Sequence, residues 1–503
     1  VVTWRIAARI RRGAGAPRLP YSRRPPADRG AAVARTTTAE VAPWRAPRDN
    51  ATLQDVKSYR ATLALLTVAG ISFALMQTLV VPALPFFQRE FETSPEWTTW
   101  LVTSFLVSSS VLTPIVGKLG DAHGKKRMLV ISLATFGFAS LGAAFAPNIE
   151  TLIVFRALQG AGAAIFPLSF GIIRDEFPPH KVGVAIGTVS SVFGVGGGVG
   201  LVLSGVIVEH LSWQWLFLVG AIPVLASTLL IARFVPESPI KRPTKPDYLG
   251  AGALSIGFAA LLLALSEGST WGWASPGVLG LAAIAASALA AWVAIERRVP
   301  DPLVDLRTLS RPAMAATNVS TILLGFSMTA FFVLVPGFLQ GDFGLSPTEA
   351  GLTLVPFSAA MIAAGPLAGA LGTRRGRVLP LRIGLALGAT SLAGLAALHD
   401  TQWLVAAWMP VMGAGMAFAL AAIGALVLDH SRPEETGVTS GMNTIMRTSG
   451  AAIGAQLAAV IVSAHPTDGY TIAFAMGALG LIAALVPTLL LERRHAALEP
   501  AVA

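Results

Sequence analysis

The sequence predicts an all-α polytopic membrane protein. It has two six-helix bundles of matching orientation with two further helices inserted between them, fourteen transmembrane helices in all. Three observations predict this. The chain of 503 residues is 54% hydrophobic and 13% charged, against roughly 25% charged in an ordinary soluble domain. Apolar runs of about 20 residues follow one another along nearly its whole length, and each can cross a hydrocarbon core of about 30 Å as a helix. Finally, one glycine-punctuated basic segment is written twice, as GKLGDAHGKKR from Gly117 to Arg127 and as GALGTRRGRVL from Gly369 to Leu379. The copies lie 252 positions apart, and Gly117, Leu119, Gly120 and Gly124 recur as Gly369, Leu371, Gly372 and Gly376.

The elements follow in order. Residues 1–60 are rich in arginine and proline and lack an apolar run, which predicts a disordered basic tail. No apolar stretch follows the basic residues closely, against a signal peptide. Arg23-Arg24 is followed by Pro25-Pro26, against a twin-arginine signal. Spans are predicted near 62–87, 97–117, 128–146, 150–173, 183–208 and 214–235, making a bundle over 61–236. A linker, 237–312, carries spans near 248–266 and 276–295. The second bundle, 313–492, has spans near 313–339, 350–371, 380–398, 402–428, 438–463 and 470–491, and 493–503 is a tail.

An even number of spans puts both termini on one side. With the N-terminus inside, 34 of the 37 Lys and Arg fall in inner tails and loops or, as Arg233 and Arg382 do, at the inner ends of spans. Arg89 falls in an outer loop, and Arg156 and Arg447 lie within spans. The positive-inside rule then predicts cytoplasmic termini, and the expected location is a bacterial plasma (inner) membrane. The outer loops carry acids, among them Glu90, Glu92, Glu96, Glu209, Asp342, Glu349 and Asp468. Both copies of the repeated segment become inner loops, between spans 2–3 and 10–11. Other landmarks repeat at nearly the same offset: Gly160 and Gly162 as Gly413 and Gly415, and Gly183, Gly187, Gly196 and Gly200 as Gly437, Gly441, Gly450 and Gly454. Parallel halves related by an axis along the membrane normal are a transporter architecture.

Several chemistries are excluded. With no cysteine there is no disulfide, thiol catalysis or cysteine–metal site. The seven histidines form no i, i+4 pair, and no carboxylate pair marks a pocket, so neither a metal site nor a membrane enzyme is predicted. GVGGGVG, Gly194–Gly200, cannot be drawn as G-x-G-x-x-G, because Val199 and Leu201 occupy the third-glycine positions. Its glycines four apart, Gly196 and Gly200, are read as helix-packing or hinge positions, as are Gly450 and Gly454. No Walker lysine pattern occurs, so no cofactor, nucleotide or nucleic acid is predicted.

Polar groups inside spans carry the functional prior. Arg156 lies about seven residues into span 4, roughly 10 Å from the outer face, and can snorkel. Arg447 lies near mid-depth in span 13, where uncompensated burial costs about 2.5–3.5 kcal/mol or more, so it must find carbonyls, water or a ligand. With Arg156 and Arg447, the neutral Gln77, Gln159, Asn318 and Asn443 are candidates to line a cavity, each of the four at least as able to make a helix-packing hydrogen bond. By these boundaries no Asp or Glu lies well inside a span. Trp271 and Trp273 read as outer-interface anchors.

Gly117-Lys-Leu119-Gly-Asp121-Ala-His-Gly124-Lys125-Lys126 resembles the loop 2–3 motif of the major facilitator superfamily, G-x-L-x-D-R-x-G-R-[RK]. FRALQGAGAA from Phe155 to Ala164 resembles its span-4 motif, with Arg156, Gln159 and Gly160 in place. WQWLF from Trp213, PES from Pro236, DYLGAGALSIGFAALLLALSEGSTWGW from Asp247 and NTIMRTSGAAIG from Asn443 resemble later segments of the fourteen-helix drug:proton antiporter branch. The resemblance implies a secondary active exporter of amphipathic small molecules or drugs, working by alternating access and proton antiport in the lipid bilayer. A carrier of an anionic or lipid-like solute is the alternative; a membrane enzyme and a sensor are remote ones.

The resemblance also implies that Asp121 latches onto a neighbouring helix N-terminus and nearby basic groups. Gly117 and Gly124 would frame the loop, and Lys125, Lys126 and Arg127 can face anionic headgroups. The second copy has Thr373 in place of the acid, so no latch is expected there. Three departures stand out: Ala122 for the motif's arginine, Leu201 for a span-5 proline, and Met76 where many members carry a span-1 aspartate. With no acid in the spans, neutral or weakly anionic amphiphiles are the predicted substrates, since a buried organic cation needs a carboxylate.

Overall fold

The computed structural model describes residues 53–241, 247–465 and 467–492. Among them there is helix and turn but no strand. The crossing helices are α1 Tyr59–Leu79, α2 Glu96–His123, α3 Lys125–Ala144, α4 Ile149–Glu176, α5 over residues 179–210, α6 Trp215–Phe234, α7 Tyr248–Gly268, α8 Pro276–Glu296, α9 Pro312–Gly341, α10 Pro347–Arg375, α11 Val378–Ala397, α12 Gln402–His430, α13 Pro433–Ala464 and α14 Gly469–Leu491. Thirteen of these are long and apolar enough to cross a membrane as they stand. The exception is α5, which is α-helical over Pro179–Ser190 and Gly200–His210 and π-helical over Val195–Val199.

The break in α5 has a local cause. A π turn shifts the i→i−4 ladder and loosens carbonyls that must find donors elsewhere. The Ser358 hydroxyl donates to Gly194 O at 2.5 Å and the Thr78 hydroxyl to Gly196 O at 2.7 Å. Prolines correct the first predicted span. Helix α1 ends at Leu79, residues 80–83 turn, and a separate short helix, Leu84–Glu90, starts with Pro85 in its first turn. The predicted tail also needs correcting, because helix begins at Leu53, leaving 1–52 and 493–503 outside the described residues. Span 7 runs past its predicted end at 266, because the helix continues to Trp271. That places Glu267 in its last turns with 5% exposure, a buried acid near the helix end that the predicted boundary had left outside the span.

Helices α1–α6 close around the rings of Phe73, Phe105, Phe136 and Phe166, whose centroids lie 5.3–5.9 Å from Phe73. Helices α9–α14 close around a second core that includes Phe331, Phe357, Met409 and Phe474. The inserted pair lies over the seam between the halves. The Thr103 and Ser266 hydroxyls join α2 to α7 at 2.8 Å, and Leu254, Phe258 and Trp292 share a cluster with Val438, Met442 and Ile445 of α13. Most of the Lys and Arg among the described residues lie in the loops after even-numbered helices or in the helix turns beside them, and we call that end of the bundle the basic end.

The repeated glycine quartets have a division of labour. Gly196 and Gly200 of α5 press on Ala74 and Thr78 of α1, and Gly450 and Gly454 of α13 press on Ile322 and Phe326 of α9; these contacts lie within a half. Gly183 and Gly187 meet Gly369 and Gly365 of α10, and Gly437 and Gly441 meet Gly117 and Pro114 of α2; these join the two halves. A Cβ at any of the eight would come closer than 3.0 Å to a neighbour. Backbone approaches this close let membrane helices associate by van der Waals packing.

Candidate functional site

The basic end holds the clasp between the halves. Asp121 sits in the last turn of α2 with 2% exposure. Its two carboxylate oxygens accept from the Gly437 and Val438 N–H groups, each at 3.0 Å. Those amides are available because the first turn of α13, Pro433–Glu435, is 3-10 and the α-helix starts only at Thr436. They are therefore among the orphan donors of a helix start. One turn back, a Cβ on Gly117 would lie 2.5 Å from Gly437 O, so a side chain there would push the acid off its donors.

Gly124, at φ +118, ends α2 and starts α3. Glu237, in the PES segment after α6, accepts from Lys126 N at 3.0 Å and Arg127 N at 3.1 Å, capping α3. Lys126 thus contributes its backbone here. Lys125 corrects the headgroup expectation. It is fully buried, and its Nζ lies 2.6 Å from Asp175 Oδ2, which also accepts from the Ser238 hydroxyl at 2.5 Å. Gly171 makes room for it, since a Cβ there would lie 2.7 Å from Lys125 Cδ. The same Nζ reaches across to Pro433 O at 3.5 Å. Arg174 of α4 crosses too, donating to the Ser431 hydroxyl at 3.1 Å, Ser431 O at 3.2 Å and the Thr436 hydroxyl at 3.0 Å.

Sequence reasoning missed Asp175, Glu237 and Arg174 as parts of this site. One signal was present for the first. Lys125 and Asp175 recur as Arg377 and Asp429 at the offset of the internal repeat, and these also pair, at 2.5 Å.

Further along the seam, Arg447 of α13 places its guanidinium 4.9 Å from the ring centre of Phe193 on α5. Phe193 stacks on Phe166 at 4.4 Å. Arg447, Asn443, Thr444, Ser440, Ser190 and Phe170 line a cleft of about 40 Å³ between the halves. No ion pair to Arg447 exists among the described residues. A cation over an aromatic face in a desolvated setting is worth about 2 kcal/mol.

The other cavity candidates divide. The Asn443 side-chain amide donates to Asn318 Oδ1 and the Thr321 hydroxyl, both at 2.9 Å, bridging α13 to α9 while its residue lines the cleft. Gln77 is half-buried on α1 and is not among the residues lining that cleft. Arg156 and Gln159 do not line it either, and Arg156 does not snorkel. It is 1% exposed, donating to Leu101 O at 2.9 Å and Gln159 Oε1 at 2.7 Å, 4.5 Å from the Phe105 ring centre. Gln159 passes the chain on to the Ser140 hydroxyl at 2.8 Å, which reaches Met76 Sδ at 3.4 Å. Position 76 therefore ends a buried polar chain that starts at Arg156.

Comparison with known proteins places these features in a wider group. The chain is 31% identical over 456 residues to the lincomycin resistance protein of Streptomyces lincolnensis, covering 88% of this chain and 93% of that one. It is 28% identical to the tetracenomycin C resistance and export protein of Streptomyces glaucescens, over 81% of this chain and 76% of that one. It is 30% identical to multidrug resistance protein 3 of Bacillus subtilis, over 71% and 70%. Its fold matches the human organic anion transporter MFSD10 with a TM-score of 0.61 at 15% identity, over 86% of this chain and 99% of that one. The Major Facilitator Superfamily model matches residues 66–300 and 317–502. With both glycine-marked halves inside those matches, this multi-pass membrane protein belongs to the major facilitator superfamily.

Proposed function

We propose that this chain is a secondary active exporter of amphipathic small molecules, driven by proton antiport, with both termini in the cytoplasm of a bacterial cell. The observation that carries the reading is the clasp. Two similar bundles are held at one end by a carboxylate on a helix start, beside a polar cleft in their seam. Hydrogen bonds to a charged group contribute about 1.5–3 kcal/mol each, and about 1.4 kcal/mol changes an equilibrium tenfold. Two such bonds are strong enough to hold one state and weak enough to release during a transport cycle. The export and resistance names of the relatives support the direction of transport. The concentration of Lys and Arg at one end supports the orientation.

Arg447 decides the substrate class. It offers a cation and two phenyl rings with no acid paired to it, which suits neutral or weakly anionic amphiphiles. The proton-carrying acid is sought among Asp121, Glu209, Asp342 and Asp429, joined by Glu267. Export of matched cationic, neutral and anionic compounds from proteoliposomes tests the reading, with and without a proton gradient. Neutral and anionic compounds should leave fastest, and Arg447→Ala should abolish their export at normal abundance. Fastest export of quaternary ammonium dyes, untouched by Arg447→Ala, would return the ordinary cation exporter.

A further inference from the structure

A cavity of about 620 Å³ opens at the basic end, between the α8–α9 linker and the clasp. Its floor is apolar, made in part by Leu303, Val304 and Val438, which are buried in one cluster with Trp292. Arg297, Arg307 and Arg311 of the linker stand exposed around it, and none of the three makes an ion pair among the described residues. Lys118 of α2 and Arg432, just before α13, complete the wall; Lys118 donates to Pro302 O at 2.9 Å.

The acids in the wall are held by other partners. Glu296 accepts from Trp292 Nε1 at 2.7 Å and Val304 N at 3.3 Å. Asp305 accepts from Arg307 N at 2.9 Å and the Thr308 hydroxyl at 3.0 Å, starting the short helix Leu306–Leu309. Burial pushes the Asp305 carboxyl up, but those bonds outweigh it and leave it below the usual range. Glu435 lies 3.8 Å from Arg432. The cavity therefore combines an apolar floor with a wall of five basic side chains against three acids, and of the five the three exposed linker arginines make no ion pair among the described residues.

We infer that this cavity binds the phosphate of an anionic phospholipid headgroup, and that the bound lipid fastens the linker to the clasp. Guanidinium forks match phosphate oxygens in geometry and charge. The cavity adjoins the end of α8, where Ala290, Ala291 and Ala294 leave the helix surface exposed, so it lies where lipid headgroups meet the bundle. Basic clusters beside a membrane helix attract anionic lipid. The apolar floor accommodates the glycerol and upper acyl segments, which a free phosphate lacks. The same cavity is walled by Val438, whose N–H is held by Asp121, so occupancy bears directly on the clasped state. The inserted helices thereby gain a role, since they carry one wall of a lipid site onto the seam.

The test uses the purified full chain in neutral detergent. Thermal midpoints are measured against phosphatidylglycerol, phosphatidylcholine and inorganic phosphate. The wild type is compared with the triple variant Arg297→Gln, Arg307→Gln, Arg311→Gln and with a control carrying Arg374→Gln and Arg375→Gln, exposed at the end of α10. Phosphatidylglycerol should stabilise the wild type and the control. The triple variant should need on the order of a hundredfold more for the same shift, from about tenfold or less per arginine. Inorganic phosphate giving the full shift by itself would overturn the lipid assignment in favour of a soluble anion. A triple variant that responds like the wild type, or a control that loses the response equally, would overturn the site. No readout here depends on transport, so failure leaves the exporter reading standing.

Discussion

The two copies of the glycine-rich loop differ in what they hold. In the first, Asp121 crosses to the other half and takes two backbone amides. In the second, Thr373 turns back and donates to Gly369 O of its own helix at 3.0 Å. The ion pairs behind the loops differ in the same sense. Lys125–Asp175 is sealed, with both side chains 0% exposed, whereas Arg377–Asp429 is 21% and 44% exposed. The repeat preserved the positions of the groups while only one copy buried them. The clasp is therefore one-sided, and Asp121 shares it with Arg174 and Lys125 of the same half.

The difference can be broken in stages. The largest effect is expected at the ion pairs. Lys125→Met leaves Asp175 buried without its ion-pair partner, hydrogen-bonded to Ser238, and should cost about 3–5 kcal/mol. Arg377→Met removes an exposed pair worth about 1 kcal/mol or less. Thermal unfolding of both variants in one detergent checks this, and equal losses would erase the distinction between the halves. Next comes Asp121→Asn, which removes the charge but keeps the shape. It should cost the clasp about 1.5–3 kcal/mol, roughly a tenfold to hundredfold shift toward the open form, and cut transport strongly at equal abundance. The chain has no cysteine, so a lone Ser440→Cys in the cleft reports opening directly through its labelling rate, which should rise with Asp121→Asn.

A smaller effect is expected from Met76→Asp. It puts a carboxylate at the end of the Arg156–Gln159–Ser140 chain, where the buried guanidinium can compensate it. The variant should insert normally and gain measurable efflux of cationic dyes; unchanged dye efflux would show that position 76 plays no part in charge selection. The smallest is Thr373→Asp. Gly183, the counterpart of Gly437, is the fifth residue of a helix that is α from Pro179, so its amide is already used within the helix. Restoring the acid alone should leave Ser440→Cys labelling within about twofold of wild type, since no orphan amide waits for it. Faster or slower labelling beyond that would mean that the acid, rather than the helix start, was the missing part.

That last contrast also shows where sequence reading stops. Apolar run length located the crossing helices, because crossing a bilayer is a one-dimensional requirement. Asp121 was legible because it sits in a glycine-punctuated segment with a family resemblance, although that segment proves to be the last turns of α2 rather than a loop. Its donors were not, because Gly437 and Val438 lie more than 300 positions away and become free only through a 3-10 first turn. Arg156 and Gln159 were offered as cavity residues because depth in a helix can be counted from sequence, whereas the face they turn to is set by neighbours. The same limit hid Lys125, whose burial depends on the space left by Gly171 on another helix. The glycine quartets were visible as repeats, but their split into contacts within and between halves was not.

That split has a mechanical consequence. At Gly183–Gly369, Gly187–Gly365 and Gly117–Gly437 the halves meet main chain against main chain. Such surfaces have few rotamers to reset and no large knobs to lift out of holes, so in the proposed exporter one half can roll over the other with little friction. The rate of opening is then set by the few polar groups that grip the joint. One added methyl on a rolling surface should jam the movement while leaving each bundle folded.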